Sequence, residues 1–176
     1  MIRYVLQALW CALRSLRRPQ VGVLDEIRTA FRVWPGDLDT NRHMNNGRYL
    51  TMMDFGRFDL LFRTGLWGHV WRNRWAPVLA SATIRWRREL RPFARYELAT
   101  RIVGWDERWF FIEQRFLLAD GSVAAQAVVR GTFLHRRKSV PPGDIFEKLG
   151  ASHDSPPLPE YVRLWQASEE AARKAA

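Results

Sequence analysis

The spacing of apolar and polar positions divides this chain into a short series of elements. At the start, Ile2, Val5, Leu6, Leu9, Leu13 and Leu16 recur at helical intervals, while Arg3, Gln7, Arg14 and Arg17 gather on the other side. This predicts an amphipathic helix over 1–18, ended by Arg18-Pro19. Over 26–34 the period changes to two: Ile27, Thr29, Phe31 and Val33 alternate with Arg28, Ala30 and Arg32, as in a strand. Pro35-Gly36 breaks that strand and opens a polar stretch. Helical spacing returns over 46–65, with Tyr49, Leu50, Met53, Phe58, Leu61 and Phe62 on one face and Gly65 as a C-cap. A tryptophan-rich connection over 66–76 (Trp67, Trp71, Trp75) leads to four strand patterns, over 78–87, 96–103, 109–118 and 122–135. Arg91-Pro92, Gly104-Trp105-Asp106 and Ala119-Asp120-Gly121 supply turn chemistry between them, so the four read as an antiparallel meander of three successive hairpins.

Pro141-Pro142-Gly143 ends the last strand, 144–149 reads as one or two helical turns, 153–159 as extended, and 160–174 as a terminal helix. The chain thus divides into an N-terminal helix (1–20), a central domain (25–138) and a C-terminal extension with a terminal helix (139–176). One helix of about 18 residues cannot cover both faces of such a sheet. An α+β arrangement follows, in which a curved five-stranded antiparallel sheet wraps round the long helix and pairs with a second copy.

Composition narrows the partners. The formal net charge of +10 favours an anionic one, such as coenzyme A, an acidic carrier protein, an anionic membrane surface or nucleic acid. The basic residues are spread over the whole chain with no recognised nucleic-acid motif, which argues against the last. The lone cysteine, Cys11, excludes an internal disulfide and a cysteine metal site, and suits a reducing compartment or a membrane. His43, His69, His135 and His153 have no metal-binding spacing, so no zinc site is expected. The apolar run within 4–13 is too short to span a bilayer, which needs about 20 residues. The helix over 1–18 can lie on an anionic membrane or dock on its own domain or a partner. The expected location is cytoplasmic, with a peripheral membrane contact as the variant.

The densest chemistry lies over 37–46, where Asp37, Asp39, Asn41, His43, Asn45 and Asn46 fall within ten residues, immediately before the long helix. Asp and Asn compete with regular backbone hydrogen bonding and suit a loop. Asn45 or Asn46 can cap the helix, whose first N–H groups then face a ligand. Such a loop suits acyl or phosphate chemistry. Asp37 and Asn45 also fit a purely structural role, Tyr49 a pocket wall, and Asp54 a plain ion pair with Arg57.

The run Asp37-Leu38-Asp39 through Asn41, His43-Met44-Asn45-Asn46 and Tyr49-Leu50 resembles the hotdog-fold thioesterases, in their 4-hydroxybenzoyl-CoA and acyl-carrier-protein branches. The likeness is greatest to the group called thioesterase superfamily member six, through that run, Asp54-Phe55 with Arg57, Gly104-Trp105-Asp106, and Pro157-Leu158-Pro159 leading to Trp165; it covers about 25–166. The resemblance implies hydrolysis of acyl-CoA or acyl-carrier-protein thioesters without a cofactor. It assigns Asp39 as nucleophile or water-activating base, Asn41 to positioning, and His43 to orienting the carboxylate or moving a proton. Asp54 is a second candidate carboxylate. Asn46 and Gly47, through their backbone N–H groups, and Tyr49 would bind substrate. The clusters Arg85, Arg87, Arg88 and Arg136-Arg137-Lys138 would meet coenzyme A phosphates or an acidic carrier. A homodimer or homotetramer is implied. Two features depart from the family pattern: Asp replaces the commoner Glu at position 54, and 75–81 carries no carboxylate. A non-catalytic protein binding acyl-CoA or lipid at a membrane is the rival reading. A hotdog dehydratase is disfavoured, since neither Phe-Pro-Gly nor Asn-Pro flanks a histidine here.

Overall fold

The computed structural model describes residues 2–175, with side chains from Tyr4 onward; Met1, Ala176 and the faces expected for Ile2 and Arg3 lie outside the described residues. The elements in order are α1 (Ile2–Leu16), β1 (Ile27–Arg32), α2 (Asn46–Arg63), α3 (Leu66–Arg72), β2 (Ala76–Trp86), β3 (Arg95–Trp105), β4 (Phe110–Leu118), β5 (Val123–His135), β6 (Lys138–Val140), α4 (Pro142–Glu147) and α5 (Glu160–Ala175). A single 3-10 turn, Pro35–Asp37, follows β1.

All strands join one antiparallel sheet in the order β1-β3-β4-β5-β2, with β6 on β5. The sheet curls round α2, so the α+β fold is the hotdog arrangement implied above. The short sixth strand is an addition. It forms because Arg136 and Arg137 both take left-handed backbone (φ 49° and 69°) and turn the chain back onto β5.

α2 seats directly on the sheet. A Cβ at Gly56 would lie 2.6 Å from Thr100 Oγ1 and 2.8 Å from Leu98 Cδ2, so only glycine permits this approach. Gln114 Nε2 donates to the Met53 carbonyl at 3.0 Å, locking helix to sheet. Tyr49, Met53, Phe55, Leu98, Phe116, Val129 and Phe133 fill the space between.

Three expectations need correction. β2 and β3 form no hairpin. β2 pairs with β5 and β3 with β1, so the connection over 87–94 crosses the end of the sheet. Its backbone is tied elsewhere: Arg87 and Arg88 N–H donate to the Ala124 carbonyl (2.8 and 3.0 Å). The tryptophan-rich connection is a helix, α3. Tyr49 and Met53 are buried as expected, but the buried side of α2 also takes in Met52, Phe55, Gly56, Asp59 and Leu60, while Leu50 is 46% exposed. It is broader than a single stripe because α1 packs on it from the other side.

α1 docks through its small and polar positions. Cys11 and Ser15 are buried, with Tyr4 and Ala8 partly so. Ser15 Oγ lies 2.7 Å from Asp59 Oδ1, and Thr29 Oγ1 donates to Asp59 Oδ2 at 2.5 Å, with Arg18 at 3.4 Å. Arg14 and Arg18 donate to the Ala30 and Arg28 carbonyls, covering the free edge of β1. Burial, then the Asp59 charge, pushes the Cys11 thiol up to about 11, so it stays protonated at neutral pH. Val5, Leu6, Leu9, Trp10, Leu13 and Leu16 point outward. Among the described residues no helix is long and apolar enough to cross a membrane.

α5 covers part of the outer sheet face. Val162 and Trp165 pack on Val103, Phe111 and Val128, and Tyr161 Oη donates to the buried Glu113 carboxylate at 2.5 Å.

Candidate active site

Asp37 holds the polar loop in shape. It is buried, accepts from Trp34 N–H at 2.8 Å and from Arg48 Nε at 2.7 Å, and its carbonyl accepts from Asn45 N–H at 2.9 Å. Arg48 also donates to Gln7 Oε1, so α1 and the loop share one guanidinium. Met44 N–H donates to the Leu90 carbonyl at 2.9 Å, which pins the loop to the β2–β3 connection. Asn45 is the N-cap of α2, its Oδ1 accepting from Gly47 N–H at 2.9 Å. Asp37 and Asn45 are therefore the scaffold.

On this scaffold Asp39 and His43 meet. Asp39 N–H donates to the His43 carbonyl at 2.9 Å, and Arg42 takes left-handed backbone (φ 61°) to close the turn. Asp39 Oδ1 accepts from Asn41 N–H at 2.9 Å, and Oδ2 lies 3.4 Å from His43 Nδ1. The Asp39 and His43 side chains are 20% and 30% exposed, so the pair is held yet open to a reactant. Asn41 takes part through its backbone, and its carboxamide faces solvent. Of the two helix-start amides expected to bind substrate, Gly47 N–H is consumed by the cap, whereas Asn46 N–H has no acceptor among the described residues. Tyr49 is buried beneath the loop, edge-on to Phe116 and Trp86.

Asp54 is separate. It lies eight residues along α2 from Asn46, about 12 Å at the helical rise. It pairs with Arg57, accepts from Tyr4 Oη at 3.4 Å, and is 38% exposed. Arg57 Nη1 in turn donates to Gln114 Oε1 at 2.7 Å. Asp54 and Arg57 line an apolar cavity of about 150 Å³ between α2 and the sheet, together with apolar side chains such as Leu61, Ile102, Phe133 and Phe146. A larger hollow of about 1290 Å³ lies beside α1 with Leu6, Trp10, Arg14, Arg28 and Arg95 on its walls, and holds none of the expected site residues.

Of the basic clusters, Arg85, Arg87 and Arg88 are exposed at the end of β2 nearest the polar loop, and Arg136-Arg137-Lys138 form the β5–β6 turn. β2 itself is apolar and exposed along its length; Val78, Leu79 and Trp86 are 40%, 43% and 46% accessible, and its second edge is unpaired. Sequence reasoning missed Arg48, Leu90 and the cavity wall, because these meet the site only through long-range packing. Among the described residues no group of His, Cys, Asp and Glu is arranged to hold a metal.

Residues 33–166 match the family described as the thioesterase-like superfamily. Protein THEM6 from Danio rerio is 39% identical over 97% of this chain and 86% of its own length. Among solved structures, the probable thioesterase YbaW from Escherichia coli has a TM-score of 0.66 and 24% identity over 70% of this chain and 96% of its own. The Staphylococcus aureus protein SAV2348, solved in complex with CoA, has a TM-score of 0.66 and 16% identity over 81% of this chain and 95% of its own. The matched span takes in the loop of Asp39 and His43, the helix behind it and the curled sheet from β2 to β6, and the chain belongs to the thioesterase-like superfamily.

Proposed function

We propose that this protein hydrolyses acyl thioesters of coenzyme A or acyl carrier protein at a site built on Asp39. Family membership supports thioester hydrolysis as the reaction class. The observation that carries the rest is the Asp39–His43 pair: one carboxylate oxygen fixed by a backbone N–H, the other facing an imidazole, beside the unoccupied Asn46 N–H at a helix start. Asp39 removes a proton from the attacking water, or itself attacks the thioester carbonyl to form an anhydride that water then hydrolyses to free acid and Asp39. Asn46 N–H, at the positive end of α2, stabilises the oxyanion. The C–S bond then breaks, and the thiolate recovers a proton through His43. Asn41 contributes its exposed carboxamide to positioning the water or carbonyl.

The acyl group enters the cavity marked by Asp54 and Arg57. In one chain that cavity adjoins the start of β2, while Asp39 lies near its end. Antiparallel pairing of β2 with its copy brings the Asp39 loop of one chain to the cavity of the other, so the active form is a homodimer. The same pairing sets Arg87 and Arg88 of one copy and the Arg136-Arg137-Lys138 turn of the other on either side of the site, suited to coenzyme phosphates or an acidic carrier.

The test is thiol release from acyl-CoAs of increasing chain length and from aromatic ones, with Asp39→Asn alongside. The variant should keep its melting temperature and lose about 10²-fold or more in kcat. An equal rate in the variant would remove Asp39 from the chemistry. The exposed leucines of α1, flanked by Arg14 and Arg17, favour a second reading: an acyl-binding protein lying on an anionic membrane. A folded protein that binds acyl-CoA without turnover would establish that reading instead.

A further inference from the structure

We infer that the acyl slot admits only a single ring or a short chain, and that Phe146 of α4 is the residue that stops it. This rests on the thioesterase reading above and names its substrate class. The cavity lies between α2 and the sheet, and its wall includes Arg57, which bonds Gln114 in the middle of β4. The wall also includes Phe110, the first residue of β4 and the strand partner of Trp105, and Phe146, which stacks against Trp105 with ring centres 4.7 Å apart. A volume of about 150 Å³ is the size of apolar cavity that takes one benzene-sized ring.

Phe146 comes from outside the sheet and helix that form the rest of the wall. It is fully buried, as is its neighbour Ile145. The short helix carrying it is fixed from behind. A Cβ at Gly143 would lie 2.7 Å from the His153 carbonyl, and that same carbonyl accepts from Trp105 Nε1 at 3.0 Å. Phe146 is therefore a rigid part of the cavity wall, and an acyl group larger than the cavity must displace it.

Phe146→Ala and Phe146→Leu are compared with wild type on butyryl-, hexanoyl-, decanoyl-, palmitoyl- and benzoyl-CoA, measuring kcat/KM and, by calorimetry, the binding of the matching non-hydrolysable thioethers. Wild type should favour hexanoyl or benzoyl over palmitoyl by about tenfold or more. Phe146→Ala should raise the palmitoyl-to-hexanoyl ratio by about tenfold, and Phe146→Leu should raise it less, in the same direction. If Phe146→Ala fails to fold, Phe146→Leu carries the comparison. A wild type that prefers palmitoyl, or a ratio unmoved in a folded variant, overturns the assignment of Phe146. Absence of turnover with every substrate overturns the hydrolase reading alone, since thioether binding still reports the length of the slot.

Discussion

A carboxylate serves thioester chemistry when its position is fixed and one of its oxygens remains reachable. The two aspartates of the polar loop divide these demands. Asp37 is spent on Trp34 N–H and Arg48, which shapes the loop, and Asp39 keeps an oxygen toward His43 and solvent. The second pairing was expected only through the family resemblance, which assigned His43 to orienting the carboxylate; the structure makes it a local contact, four residues apart in a loop rich in Asn and Asp. The partner of Asp37 lies eleven residues away, beyond a turn whose shape the spacing does not specify. Tyr49 shows how burial decides a role. Removal from water pushes its phenol up to about 12, against a hydrogen bond from the Leu90 backbone, so it is a poor proton donor at neutral pH. Tyr49→Phe should keep kcat/KM within about threefold. It should lose about 1 kcal/mol of stability, seen as a drop of roughly 2–4 °C in Tm. A loss of activity near that of Asp39→Asn, at unchanged Tm, would instead make Tyr49 part of the chemistry.

Among the elements, α1 was read correctly as an amphipathic helix, but its docking face was not legible. Periodicity finds the apolar stripe without saying what covers it. Here the leucines face outward, and the stripe Tyr4, Ala8, Cys11, Ser15 meets α2 around the buried Asp59. That carboxylate joins α1, α2 and β1 through Ser15, Arg18 and Thr29. Asp59→Ala leaves these donors without their acceptor, and should cost about 3 kcal/mol in urea unfolding. It should also speed tryptic cleavage after Arg14 and Arg17 relative to sites in the sheet. Cleavage and unfolding identical to wild type would mean that α1 is held by packing alone. The strands were legible for a similar reason and mispaired for a related one. Alternation marks where a strand lies, and Arg91-Pro92 is turn chemistry, but the partner of β2 is set by tethers at Met44, Leu90 and Ala124 that no local pattern shows.

At the scale of the whole molecule, one chain leaves a strand edge uncovered. β2 is an apolar strand with an unpaired edge and both faces accessible, a surface that soluble proteins cover or charge. Arg85 and the cluster at 87–88 sit only at its end, so nothing along its middle repels a second copy. In the proposed dimer, twofold antiparallel pairing along β2 sets the residue on the axis opposite its own symmetry mate and keeps its neighbours close to theirs, and it carries Asp39 of one copy to the Asp54 cavity of the other. Ala82, exposed near that centre, therefore offers a direct test. Ala82→Glu adds one carboxylate from each copy close to the proposed axis, where like charges oppose pairing. Light scattering should give twice the chain mass of 20.7 kDa for wild type and the single mass for the variant. On the proposed shared site, thioesterase activity should fall in step with the dimer fraction and recover at protein concentrations that force the variant to pair. A monomeric variant with full activity would show that Asp39 and its acyl slot lie within one chain, and would overturn the shared site.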